Sequence, residues 1–156
     1  KIDCFIGNKK KIDFDDLIKL TNLSENHSIN KIVDISLAKN TREALKVLNE
    51  NIFSTEDIII IIRSYLIKSK RLLRLTTELE KINDIDKVIL ASKPPIFWKD
   101  KDVVKKQLKI WDKKSTIALI QNINEVELQL KKNTKSAINI LQNFIIEQSL
   151  KPNTSF

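Results

Sequence analysis

The sequence predicts an all-α fold, a helical bundle, on three observations. One glycine occurs among 156 residues, whereas β-rich chains need turn residues at every hairpin. Capping residues (Ser, Asp and Asn) recur at the heads of successive apolar stretches. Within those stretches apolar residues repeat at helical spacing. The length suits one domain, or one domain with a piece of another. Domains near this size bury about two-thirds of their unfolded surface.

In chain order, Ile2 to Ile6 resembles a helix end, with Gly7 as its C′ residue. Asp13 is placed to cap a short helix through Leu20, with Asp15 and Asp16 in its first turn. Leu23 to Ser28 is polar and marks a domain boundary, giving segments 1–26 and 27–156. Ser28 is a cap for a helix carrying Ile29, Ile32, Val33 and Leu37. Asn40 with Glu43 opens a helix through Asn51, with Ala44, Leu45, Val47 and Leu48 as its apolar face.

Ser54 with Asp57 opens the longest helix, to about Ile82. Its five-isoleucine start, Ile58 to Ile62, has strand propensity. No turn signal interrupts the following stretch, so helix is the expectation. Apolar residues point almost all round this half, which predicts that other helices or another subunit surround it. Further on, Arg63, Lys70, Arg74 and Lys81 follow at steps of 7, 4 and 7 and line one stripe. That stripe spans about 27 Å at 1.5 Å per residue. It is either a solvated face or an edge facing nucleic acid or an acidic partner. Asp84 is a cap for a short helix through Ala91.

Pro94 and Pro95 forbid a regular helix, since each lacks an N–H and restrains its predecessor. Phe97 and Trp98 follow at once. They either pin the connection to a core or meet a partner, as Trp does at many interfaces. The expectation is that Trp98 is an anchor and not a free surface residue. A core ring would make Trp98→Ala cost about 3–5 kcal/mol. Asp100 stands where an N-cap would, Asp102 lies in the first turn, and Val103, Leu108 and Trp111 begin the apolar pattern. Ser115 is the next cap candidate, ahead of the stripe Leu119, Ile123, Val126 and Leu130. Asn133 or Thr134 starts the last helix, whose core face is Ala137, Ile138, Leu141, Phe144 and Ile145, with Pro152 past its end.

The net charge of +8 admits two readings. One is nucleic-acid affinity through counterion release; the other is a lysine-rich surface that keeps the chain in solution. Cys4 is the only cysteine, so no internal disulfide forms, which is consistent with a reducing cytoplasm. The apolar run Ile58 to Ile62 is far short of the ~20 residues of a membrane span. Methionine is absent even at position 1, so a fragment of a longer protein is expected.

Enzymatic chemistry finds no foothold. One glycine can build neither a phosphate loop nor a dinucleotide fingerprint. His27 and Cys4 are the sole residues of their types, so no His/Cys zinc set exists and no cofactor is implied. Asp15 with Asp16, or Glu78 with Glu80, read more simply as exposed acidic helix turns than as a cation site.

The block KPPIFWKDKDVVKKQLKIW, Lys93 to Trp111, resembles the C-terminal part of the bacterial DNA polymerase III delta subunits, members of the sliding-clamp loader. Ile62 to Leu66 with Lys70 to Leu73, and the VELQLKK stretch with Glu127 and Lys131, are similar to the same family in the same order. The resemblance implies that 1–26 ends an AAA+-like lid subdomain and that 27–156 is the helical collar. It implies scaffolding without catalysis: the collar joins gamma/tau and delta-prime subunits into a ring that loads the clamp on primed DNA. The sliding clamp would be met only through an N-terminal domain outside this chain, and DNA only weakly. The partner-facing residues expected are Ile59, Ile60, Arg63, Ile67, Lys70, Arg74, Phe97 and Trp98. The competing expectation is a stand-alone basic helical module that binds nucleic acid through the Arg63 to Lys81 stripe. A third is an internal helical domain of an enzyme.

Overall fold

A computed structural model describes residues 28–150 of the chain. The expectations for Cys4, Gly7, Asp13, Asp15, Asp16, His27 and Pro152, and for a lid over 1–26, lie outside the described residues. Those described are 85 % helical, in seven α-helices with no strand, an all-α bundle. In order they are α1 (28–37), α2 (Thr41–Glu50), α3 (Thr55–Ile82), α4 (Ile85–Ala91), α5 (Lys101–Ile110), α6 (Lys113–Lys132) and α7 (Ala137–Ser149).

Local capping chemistry sets several boundaries. Ser54 accepts from the Asp57 N–H at 3.2 Å, and Asp57 accepts from the Ser54 N–H at 2.7 Å. This reciprocal box starts α3 where the sequence placed it. The isoleucine run is helical, as expected. Asp84 accepts from two N–H groups, of Asp86 and Lys87, and opens α4. At the other end of α3, Asn83 takes the left-handed conformation, φ 52°, a role Asn fills where glycine is scarce.

Two cap assignments differ from the sequence expectation. Asp100 makes no side-chain cap bond, because Trp98–Asp100 forms a 3₁₀ turn that winds directly into α5. Asp112, not Ser115, caps α6; Ser115 is its third helical residue and closes a reciprocal box. Either residue can cap, and the tertiary position of Trp111 decides which one ends the loop.

One continuous core runs through residues 28–150. α3 packs along α6, with α4, α5 and α7 also against it, and α7 packs on α2 and α6. Tyr65 of α3 meets Phe144 of α7 edge-on, ring centroids 5.1 Å apart. The expected stripes Ile29, Ile32, Val33, Leu37 and Leu119, Ile123, Val126, Leu130 are buried. Three apolar assignments are corrected. Leu45 and Ile138 are exposed at the margins of their helices, and α5 buries Val104, Gln107 and Leu108 while Val103 is half-buried.

One face of α1 is enclosed, with Ile32, Val33, Ser36 and Leu37 fully buried. A helix end leaves four carbonyls without intrahelical partners. Here each finds one: Asp34 O accepts from Ala38 N–H, Ile35 O from Asn40 N–H and Ser36 O from Lys39 N–H. Leu37 O accepts the indole N–H of Trp111 at 2.7 Å. Trp111 is 8 % exposed, and the Lys39 ammonium stands 4.5 Å from its ring centroid. Gln107 donates to Asp34 O, and Lys68 bridges Asn30 O and the Asp34 carboxylate at 3.2 and 2.6 Å. Ser36 donates to Ile145 O in α7.

Trp111, therefore, is the core anchor, a role that was one of the two expected for Trp98. Trp98 is 68 % exposed and Phe97 57 %, while their neighbour Ile96 is buried and holds the connection down. The prolines stop α4's direction, but packing lets only one of the three following apolar residues inward.

Trp111→Ala is expected to cost about 3–5 kcal/mol in urea unfolding. Trp111→Phe leaves the Leu37 carbonyl unpaired and is expected to cost about 1–3 kcal/mol. Trp98→Ala should cost under about 1 kcal/mol, which excludes the core alternative for this ring. The two single-tryptophan variants, Trp98→Phe and Trp111→Phe, should emit blue- and red-shifted fluorescence respectively.

The caps also set an acid response. Hydrogen bonds from the Ser115 hydroxyl and N–H hold Asp112 below its ordinary 3.8. The Lys87 N–H does most of the same for Asp84. A depressed folded value means stability present in full above 3.8 and lost as pH falls through the folded values. The Asp84→Asn, Asp112→Asn double variant keeps both caps without that titration. Circular dichroism during acidification should show a shallower loss of helix in the variant.

Candidate functional site

α3 has two unlike faces. Its inner face carries Ile58, Ile61, Ile62, Tyr65, Ser69, Leu72, Leu75 and Thr76, all buried. At 3.6 residues per turn the opposite side gathers Ile59, Ile60, Arg63, Ile67, Lys70 and Arg74 into an arc of about 100°. All six are exposed, Ile59 at 53 %, Ile60 at 42 % and Ile67 at 69 %. The structure thus brings the six expected α3 residues onto one open strip. Helices of this chain do not enclose the isoleucine run all round: three of its five members are buried and two face outward. The Ser54–Asp57 box sets the start of the helix, and the inner contacts of Tyr65 and Ile61 set its rotation.

The cations on this strip are not equivalent. Arg74 donates from Nη1 to the Lys93 carbonyl at 3.1 Å, which ties α3 to the Pro-Pro connection. Lys81 pairs with Glu78 at 2.9 Å, an exposed i,i+3 bridge. Arg63 and Lys70 make no ion pair with a described residue, and Lys68 is turned inward onto Asp34. Phe97 and Trp98 stand apart from the strip on the connection itself. Their ring centroids are 5.8 Å apart at 47°, and the Lys99 ammonium lies 5.3 Å from the Trp98 ring. Arg74 and its bond to Lys93 are the link between the two groups of expected residues. Where they meet, a groove of about 520 Å³ runs between α3 and α4, bordered by Arg71, Arg74, Thr77, Ile82, Val88 and Pro94.

Sequence reasoning missed a larger cleft of about 960 Å³ between α1, the start of α2 and α5, where Lys31, Lys39, Arg42 and Lys106 approach Asp34 and Asp100. No sequence spacing relates these positions; only the fold collects them. Lys31 is paired with Glu43 at 3.3 Å, and burial lowers the pKa of Lys39. Lys39 also has a left-handed backbone, φ 56°, which turns the chain from α1 into α2.

The buried hydroxyl of Tyr65 lies near Ser36 and Asp34, and burial pushes its pKa well above the usual phenol value. Neither this hydroxyl nor that of Ser69 has a well-formed hydrogen bond to a described residue. Both point into the core and away from any cleft wall, so they bear on packing. Among the described residues no three His, Cys, Asp or Glu side chains converge as a metal set. None of the described helices is long and apolar enough to cross a membrane. What the outer strip can do chemically is bury aliphatic area against a partner while pairing its cations.

No family model, curated protein or solved structure matches this chain.

Ile59→Asp, Ile60→Asp and Ile67→Asp are each expected to change unfolding free energy by less than about 1 kcal/mol. Ile61→Asp, one position away, buries an unpaired charge and should prevent folding. Thermal melts of the four variants check the facing of α3 directly.

Proposed function

We propose that this chain is the collar part of a clamp-loader delta subunit, a non-catalytic scaffold for sliding-clamp loading in DNA replication. The observation that carries the reading is the open strip of α3. Three isoleucines, Ile59, Ile60 and Ile67, lie exposed in line on the helix whose sequence resembles the family, whereas other exposed apolar residues such as Ile52, Leu90 and Leu128 sit elsewhere. The Pro-Pro-Ile-Phe-Trp connection adds to it, since Ile96 holds the loop while Phe97 and Trp98 are left outward. Apolar groups arranged as a continuous outer strip are what a subunit contact requires.

On this reading residues 27–156 join gamma/tau and delta-prime collars, and the AAA+ domains move around that ring. The ring needs no catalytic group from this chain, and it works in the cytoplasm. The clamp itself is reached through a preceding domain. An interface of this kind should bury more than about 1,000 Å².

The alternative is a stand-alone nucleic-acid module using the Arg63 to Lys81 stripe. One of its four cations, Lys81, is already paired with an acid, Glu78. Exposed isoleucines interrupt the rest, and phosphates reward neither feature.

Co-expression with gamma/tau and delta-prime of the same organism tests the proposal. The chain should elute with them in size-exclusion chromatography, and an Ile59→Asp, Ile67→Asp double variant should not, while keeping its helical spectrum. If full-length delta joins the complex and this chain does not, the scaffold role lies elsewhere. Failure of both, with salt-dependent DNA binding by the isolated chain, would replace the reading by the nucleic-acid module.

A further inference from the structure

We infer that the outer strip of α3 is a docking seam for one acidic amphipathic helix of a partner protein, laid nearly parallel or antiparallel to α3. The inference rests on the strip being an assembly surface, as proposed above, and adds the chemistry and shape of what covers it.

Spacing supplies the shape. Ile60, Arg63, Ile67, Lys70, Arg74 and Thr77 follow at steps of 3, 4, 3, 4 and 3. An alternation of 3 and 4 keeps a seam straight along a helix and is the pattern that one neighbouring helix packs into at a shallow crossing angle. The seam extends for about 25 Å at 1.5 Å per residue, close to five turns. Ile59 flanks it, so its first half is aliphatic on more than one row.

Charge supplies the partner's chemistry. Residues 58 to 77 hold five basic residues and no acid, and Lys68 is the one of the five bridged to an acid, Asp34. The seam itself carries Arg63, Lys70 and Arg74, with isoleucine between and before them. The complement is a helix with leucine-like residues opposite Ile60 and Ile67 and carboxylates opposite the three cations. Arg74 is already held by its bond to Lys93 O, so less side-chain freedom is lost when its remaining N–H groups meet a carboxylate.

The same pattern disfavours other occupants. A second copy in parallel register would set every cation against itself. Antiparallel pairing centred on Ile67 would set Arg63 against Lys70. Either arrangement opposes like charges along the seam. A nucleic-acid backbone would satisfy the cations but leave Ile59, Ile60 and Ile67 in contact with phosphate and water.

The test uses the whole 156-residue chain and a fluorescein-labelled synthetic helix of about three heptads. The helix carries Leu and Glu at the alternating seam positions; a control peptide has Lys in place of Glu. Fluorescence anisotropy should show binding of the Glu peptide and none of the Lys peptide. Binding should weaken about tenfold or more between low and physiological salt. Ile67→Asp should abolish it. An Arg63→Glu, Lys70→Glu variant should exchange preference and bind the Lys peptide. Should that variant lose its helical spectrum, Arg63→Gln, which keeps length without charge, should weaken Glu-peptide binding.

Equal binding of both peptides, or binding indifferent to Ile67→Asp and Arg63→Gln, would overturn the inference. So would a dimer in sedimentation that Ile67→Asp dissolves, or a DNA duplex that displaces the Glu peptide from the seam. Peptide binding with no recovery of clamp-loader subunits would retire the collar reading alone. Recovery of those subunits with an inert seam would retire this inference alone.

Discussion

Trp111 donating to the Leu37 carbonyl is the contact on which the rest of the bundle depends. It closes the C-terminal end of α1, and it fixes the end of α5 and the start of α6. Two further side chains, Lys68 and Gln107, reach main-chain oxygens of α1 at Asn30 and Asp34. The three acceptors, at 30, 34 and 37, lie one turn apart along a single face. α1 is thus held by shape and also by backbone-directed bonds from α3, α5 and the residue that follows α5. A buried carbonyl without such a donor costs more than a typical hydrogen bond is worth. Sliding α1 by a turn would separate the Leu37 carbonyl from the Trp111 indole N–H, while Asp34 O keeps its bond from the Ala38 N–H.

α3 buries one side, against α4, α5, α6 and α7. That constraint creates the outer strip. The helix is apolar in most directions at its start, but its neighbours cover only the face that bears Ile58, Ile61, Ile62 and Tyr65. Ile59 and Ile60 are left facing out because no element of the described chain crosses there. Exposed isoleucine and unpaired arginine on one arc do not improve the isolated bundle. On the collar proposal they are the groups a partner would cover, with aliphatic contact supplying affinity and charge supplying selection.

The connection after α4 obeys the same division. Ile96 is the nail that holds it, Arg74 fastens Lys93 from the side, and Phe97 and Trp98 are carried outward by the 3₁₀ turn. Two tryptophans only 13 positions apart therefore have opposite roles. One is structural through its N–H and its full ring; the other presents its ring to solvent beside Phe97 and Lys99.

What the sequence by itself determined is local. The box at Ser54 and Asp57, the cap at Asp84, the break at Pro94 and Pro95 and the apolar stripes of α6 and α7 all arise from residues within one or two turns of each other. Their chemistry is complete without knowledge of the fold, and the all-α class follows from them. The six strip residues of α3 were legible for the same reason, since helical spacing alone places them on one arc. Only the tertiary structure decided which arc is covered, which of Trp98 and Trp111 goes inside, and whether Asp112 or Ser115 caps α6. Leu45, Ile138 and the cleft of Lys31, Lys39, Arg42 and Lys106 belong there too. Each of these depends on which distant surface arrives as a neighbour, and periodicity shows that a face is apolar without showing what will cover it.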